Sequence, residues 1–269
     1  MVATTRGIDS VCCSSFPAMD SSWLVMSCTV CAAGPPGLSI VSQPDCEIAH
    51  TLSDPLPSSR MTPDELLTTT RSVRRRLDFD RPVPKELLLE CLEIAIQAPS
   101  GGNRQMWQWL IVTDEDKKRF IGDRYRRAWE AYNASGRLEY ESGDPRREQL
   151  PRVQTSARYL AERMAEVPAM VIACIRGRVE EQASVNAAGL YGSIVPAVWS
   201  FMLAARVRGL GSAYTTLHLT YEEEIARELG IPYERYTQAA LLPVAYYTGD
   251  SFRPVARVPL EQIVHWDRW

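Results

Sequence analysis

Three short segments gather side chains able to hold a polar ligand. Arg71, Ser72 and Arg74 place two guanidinium forks and a hydroxyl close together, a donor set suited to a phosphate or to the edge of an electron-rich heterocycle. A solvated basic run at a helix end has the same composition, so this segment alone leaves both readings open. A nucleic-acid patch lacks any further basic stretch to extend it. Ser100, Gly101, Asn103 and Gln105 follow Pro99 and precede Trp107 and Trp109. Each of the two amides offers a donor and an acceptor, whereas a glycine turn with two core tryptophans is the purely structural alternative. Third, Gly209-Leu210-Gly211 leads into Tyr214, Thr215 and Thr216. A dinucleotide fingerprint needs a preceding strand and a third glycine, and neither is found. The glycines instead end a helix and let the backbone of Tyr214 to Thr216 come close to a ligand, or simply cap the helix before a strand.

The totals narrow the chemistry. With 45% apolar and 23% charged residues and a net charge of −3, the composition is that of a globular protein with no bulk attraction for nucleic acid or an anionic membrane. The histidines His50, His218 and His265 are scattered, so no metal site is expected, and no Gly-x-Ser-x-Gly elbow offers a nucleophile. Cys28 and Cys31, with Cys46 and His50 beyond them, lack the second paired motif of a zinc site. Cys91 and Cys174 lie in apolar periodic segments and read as reduced core residues, which fits a cytoplasmic protein.

The elements that position these segments start at Met61. Residues 1–60 hold many serines and no lysine and are expected to be a disordered or dispensable extension. Their apolar stretch from Trp23 to Ala33 is too short to span a bilayer, and Asp9 and Asp20 against Arg6 disfavour a signal peptide. Thr62 as N-cap, Pro63 at the first helical position, and Asp64 and Glu65 in the first turn form a helix start. A methionine directly before it fits a chain that begins at Met61, so residues 61–269 are expected to form the folded domain. Glu86 to Ala98 predicts a helix with Leu87, Cys91, Ile94, Ala95 and Ala98 on one face, ended by Pro99. Arg119 to Met164 predicts helix with a break at Gly143-Asp144-Pro145. Gly189 to Arg206 predicts a helix apolar nearly all round and therefore buried on several sides, with Pro196 as a kink. Thr220 to Glu223 reads as a capping box for a helix closed by Gly230. Trp109–Val112, Ala169–Ile175 and Gln238–Thr248 predict strands. Helices and strands without a βαβ rhythm imply an α+β sandwich.

Taken in order, these motifs resemble the nitroreductase family of FMN-dependent flavoproteins. The pattern runs from Arg-Ser-x-Arg, through Ala-Pro-Ser-x-x-Asn-x-Gln-x-Trp, to a long apolar helix ending in Gly-Leu-Gly, and closes with Arg257-Val-Pro-Leu260. The resemblance implies a mixed, mainly antiparallel sheet sandwiched by helices, in an intertwined homodimer with FMN at the interface. It implies that Arg71, Ser72 and Arg74 hold the phosphate, ribityl chain and pyrimidine edge of FMN, and that Arg257 completes the phosphate site. Asn103 would bond the uracil-like edge, with Ser100 and Gly101 near the cofactor from the partner subunit. Tyr214, Thr215 and Thr216 would lie along the ring, a backbone N–H there meeting the N5 region. No catalytic acid or nucleophile is implied, because the flavin carries the hydride. The implied reaction is ping-pong, with NADH or NADPH as reductant and a nitroaromatic, quinone or similar small molecule as acceptor. Trp129, Tyr132 and Tyr140, within the Arg124–Tyr159 region, form either a substrate lid or a packing stripe. Thr70 stands where many members carry an arginine, and Met106 where proline is usual. A dehalogenase of the iodotyrosine type would need a lid lysine, and this chain has none after Lys118. A flavin-cleaving activity and a non-catalytic flavin sensor are the other readings.

Overall fold

The segment Ala169–Arg176 is apolar at both parities, and a strand of that kind must be covered on both faces. In the computed structural model, which describes residues 61–136, 139–180 and 183–269, this segment is strand β3 at the centre of an antiparallel sheet. The other strands are β1 (Leu77–Asp78), β2 (Trp107–Val112), β4 (Leu210–Ser212) and β5 (Tyr236–Tyr247). Their order is β1-β5-β3-β2, and β4 also pairs with β5. All four ladders are antiparallel. The readings made on residues 1–60, including the Cys28–Cys31 pair, lie outside the described residues.

Alternation along β3 divides the interior in two. Val171, Ala173 and Ile175 join a cluster with α2 (Lys85–Ala95) and α5 (Ser184–Val207). Met170, Ile172 and Cys174 join a second cluster with α3 (Glu115–Ala134), α4 (Pro145–Arg163) and α6 (Glu222–Leu229). Helices thus cover both faces of the sheet, the sandwich the sequence predicted. The β3–β5 register slips once, from Ala173↔Ala240 to Cys174↔Gln238, leaving Ala239 as a bulge.

Several local signals hold. The first helix, α1 (Pro63–Thr69), carries the Thr62 cap, and Glu65 returns a bond to the Thr62 N–H to complete a capping box. Asp144 caps α4 with Pro145 in its first turn, and Gly230 closes α6 at φ 69°.

Four expectations need correction. Helix α2 stops at Ala95, three residues early, and its buried face is Leu88, Cys91 and Ala95; Ile94 is exposed. Trp107 begins β2 and is a core residue. The chain enters α6 through a short 3-10 helix, Leu217–Tyr221, so Tyr221 is the N-cap, no side chain caps it, and the Thr220 capping box does not form. Most consequentially, α5 is not buried all round. Ile194, Ala197, Val198, Phe201 and Ala205 are buried, whereas Tyr191, Val195 and Trp199 form an open stripe one turn apart. An all-apolar helix needs cover on every side, and the fold of one chain supplies it on one.

Close packing of α3 constrains one glycine. A Cβ at Gly122 would stand 2.9 Å from both the backbone nitrogen and Cβ of Ala165, so the helix could not keep its place. Gly122→Ala is expected to cost about 1–3 kcal/mol and to lower Tm by roughly 2–4 °C for each kcal/mol, measured by thermal denaturation. An unchanged Tm would contradict this packing.

Candidate functional site

After α1 the chain runs extended beside β4. Val73 N–H donates to the Ser212 carbonyl at 2.8 Å, and Val73 packs on Gly211, where an added Cβ would come within 3.0 Å of Val73 Cβ and Cγ1. The two glycines therefore have separate roles. Gly209, at φ +76°, turns the chain out of α5 as predicted, while Gly211 makes room for the Arg-Ser-Val-Arg segment rather than for a ligand.

That approach determines where Arg74 sits. Arg74 is partly buried, no carboxylate among the described residues pairs with it, and burial holds its guanidinium below the usual arginine range. Tyr125 of α3 stands beside it. Burial raises the phenol above its ordinary value, and a hydrogen bond to the Thr215 side chain together with the charge of Arg74 partly opposes that shift. Arg71 is exposed, and its Nη1 donates to the Arg253 carbonyl at 3.3 Å. Ser72 is half-buried.

Of Tyr214 to Thr216, the middle residue is committed to the sheet. Thr215 N–H and its hydroxyl both donate to the Leu241 carbonyl, at 3.2 and 2.6 Å. Tyr214 donates its hydroxyl to the carbonyl of Ala239 at 3.2 Å, using the bulged residue of β5. Thr216 is exposed at the start of the 3-10 helix.

The amide loop sits elsewhere in the protomer, against α5. Gly101 N–H donates to Ser193 Oγ at 3.0 Å, and Ser193 in turn donates to the Gly189 carbonyl at 2.7 Å. Asn103 and Gln105 both have left-handed backbones, φ 52° and 50°, rare for residues other than glycine. Gln105 N–H donates to Ser100 Oγ at 3.2 Å, and its side-chain amide donates to Asn103 Oδ1 at 3.0 Å. Gln105 thus occupies Asn103 Oδ1, so the NH2 is the donor that the exposed Asn103 side chain has left to offer. Among the described residues no hydrogen bond or ion pair joins this loop to the Arg71–Arg74 segment.

Arg257 is exposed and lines a cavity of about 370 Å³ between α3 and α4, with Trp129, Tyr132 and Tyr140 among its walls. Tyr125 and Trp129 belong to the core, whereas Tyr132 is open to solvent, so the aromatics divide between packing and cavity. Sequence reasoning missed Tyr125, Ser193 and His218; their signals depend on contacts distant along the chain.

His218, two residues past Thr216, is fully buried with neither ring nitrogen partnered, and burial lowers its pKa to about 3. An unfolded histidine titrates near 6.5, so the stability linked to the neutral ring is complete above that pH. It is lost as pH falls from 6.5 toward 3. We expect a wild-type loss of about 2 kcal/mol between pH 7 and pH 5, absent in His218→Leu; equal slopes in denaturant titrations would refute it. Gly211→Ala, which forces Val73 outward, is expected to cost roughly 1–3 kcal/mol, read by calorimetry.

Comparisons with known proteins bear on the family and the fold. The Nitroreductase family profile matches residues 67–246. An NADH dehydrogenase of Thermus thermophilus is 28% identical, over 73% of this chain and 91% of its own length. A 5,6-dimethylbenzimidazole synthase of Rhodospirillum rubrum is 32% identical, over 60% of this chain and 72% of its own. The crystal structure of an iodotyrosine deiodinase bound to FMN and 3-iodo-L-tyrosine shares the fold, with a TM-score of 0.58 at 24% identity, covering 77% of this chain and 99% of that one. With the matched region spanning most of the described fold, the chain belongs to the Nitroreductase family.

Proposed function

We propose that this protein is an FMN-dependent oxidoreductase that uses NADH or NADPH to reduce a nitroaromatic, quinone or similar electron-poor acceptor in ping-pong turnover. The observation that carries the reading is Arg74, the last residue of the Arg-Ser-Val-Arg segment: a partly buried guanidinium beside Tyr125, with no carboxylate partner among the described residues. A desolvated cation is costly unless an anion or electron-rich group meets it. The edge of a flavin, rich in carbonyl oxygen and ring nitrogen, fits that need.

When bound, FMN supplies the redox chemistry, taking a hydride from the nicotinamide and passing two electrons to the acceptor. The chain's own residues bind and orient it. Arg74 holds the pyrimidine edge, with Tyr125 and Thr215 limiting its movement. The exposed Arg71, with Ser72 and Arg257, serves the phosphate and ribityl end. Tyr214 to Thr216 line the ring, with the Thr215 N–H committed to the Leu241 carbonyl. Asn103 offers its NH2 to a carbonyl at the uracil-like edge, with Ser100 and Gly101 beside it.

The separation of the amide loop from Arg74 supports a site built from two copies. The loop docks on α5 through Ser193, and the same helix exposes Tyr191, Val195 and Trp199. A second copy covering that stripe would bury apolar surface that one chain leaves wet.

The test is an anaerobic absorbance spectrum of the purified protein, before and after adding NADH or NADPH. A bound flavin that bleaches with one donor and recovers with a quinone or nitroarene is the expected result. Arg74→Met is expected to weaken FMN binding about tenfold or more, the scale of a lost charge-assisted hydrogen bond. A colourless protein that also fails to take up added FMN would end this reading.

A further inference from the structure

Arg76 has no part in the ligand set above, yet it makes more long-range contacts than Arg71. Its Nε donates to the Thr248 carbonyl at 2.5 Å and its Nη1 to the Ser251 carbonyl at 2.7 Å. Thr248 N–H donates back to the Arg76 carbonyl at 2.8 Å. Between those two acceptors the chain turns at Gly249, φ +78°, where a Cβ would stand 2.7 Å from Arg76 Nη2. The Arg76 guanidinium then stacks over Phe252, 4.2 Å from the ring centroid.

A second cation uses the same ring. Arg206, near the end of α5, lies 4.1 Å from the Phe252 centroid and is only 6% exposed. Among the described residues it has no carboxylate partner and its Nε is unpartnered; it hydrogen-bonds the Tyr247 hydroxyl. Tyr247 meets Phe252 edge to face at 5.0 Å. For a buried guanidinium so placed, the negative faces of the two rings replace a counter-ion. Phe252 is therefore fixed by two arginines, and the backbone before it by the fork of Arg76.

The chain beyond Phe252 gives the clamp its significance. Ser251 to Pro259 form neither helix nor strand, so no ladder holds them in place. The Arg253 carbonyl accepts from Arg71, and Arg257 lies four residues further on. We propose that Arg76, acting through Phe252 with Arg206, is a positioning residue for the phosphate end of the flavin site. It fixes the irregular segment that orients Arg71 and carries Arg257. This inference rests on the flavin reading above.

A clamp that merely stabilises the fold would affect every flavin alike, so the test compares two. FMN and riboflavin share ring and ribityl chain, and riboflavin lacks the phosphate. Wild-type protein, Arg76→Lys and Phe252→Leu, each as the full chain, are titrated with both, and Tm is recorded in parallel. Both variants are expected to weaken FMN about tenfold while changing riboflavin by less than about twofold. The FMN affinity of the variants should also depend less on ionic strength than that of wild type. Equal weakening of both flavins, or no weakening of either, overturns the positioning role. Wild-type protein that takes up neither flavin fails the flavin reading itself, a result seen before any variant is compared. Arg76→Lys keeps charge and stem, so it carries the comparison if Phe252→Leu does not fold.

Discussion

The contact between Val73 and Gly211 fixes the geometry on which the candidate site depends. A backbone hydrogen bond ties Val73 to Ser212, and a missing Cβ lets the Arg-Ser-Val-Arg segment approach β4 that closely. Arg71 and Ser72 precede this anchor, and Arg74 and Arg76 come after it. Without it, a run of arginines would stay in water, where guanidinium groups are well solvated and gain little from any fixed partner. With it, Arg74 is carried beside Tyr125 and Thr215, and Arg76 reaches the turn at Gly249. The close approach thus converts a basic stretch of sequence into two differently used cations.

Charge pairing marks the same boundary. Every arginine of α3 has a carboxylate within salt-bridge distance: Arg119 with Asp116, Arg124 with Asp123 and Glu224, Arg126 with Asp123 and Glu130, Arg127 with Asp123. These are mostly exposed pairs that contribute little to stability. Arg178 and Glu222 form a better-buried pair at 3.0 Å, and Glu222 also accepts from the Gln238 N–H, tying α6 to β5 beside the bulge. Arg74 and Arg206, by contrast, lose water and gain no carboxylate among the described residues. Aromatic rings offset that cost at Arg206. At Arg74 the neighbouring phenol of Tyr125 offers no such counter-charge.

How much of this was legible in the sequence depends on the range of each interaction. Helix starts at Thr62 and Asp144, the stop at Gly230 and the doubly buried β3 are set by neighbours within a few positions, and their residue types announce them. The family pattern was likewise readable, since its motifs are short and ordered. Signals that fail are those overridden from far away. Thr220 and Glu223 have capping-box spacing, but the 3-10 helix places Tyr221 at the cap. Gly211 looks like a ligand-approach glycine until Val73, distant in sequence, is seen against it. The role of Phe252 is invisible because Arg76 and Arg206 meet it only in the fold. The open stripe of α5 escaped for another reason: hydrophobicity all round a helix says that every face needs cover, not whether one chain provides it.

The loop at Asn103 shows how two amides alike in sequence come to differ in the fold. Asn103 and Gln105 have equivalent amides and equivalent left-handed backbones, and from sequence each qualifies to meet a ligand. Strain separates them. Asparagine tolerates the left-handed region because its short side chain bonds locally, whereas glutamine there costs on the order of 1 kcal/mol or more. Ser100 Oγ meets the Gln105 N–H, and the Gln105 side chain is then close enough to bond Asn103 Oδ1. One amide is consumed in aiming the other, and the strained backbone is what brings them together. The loop is itself held to α5 by Ser193, so the direction of the Asn103 donor is set by the helix that also exposes the apolar stripe.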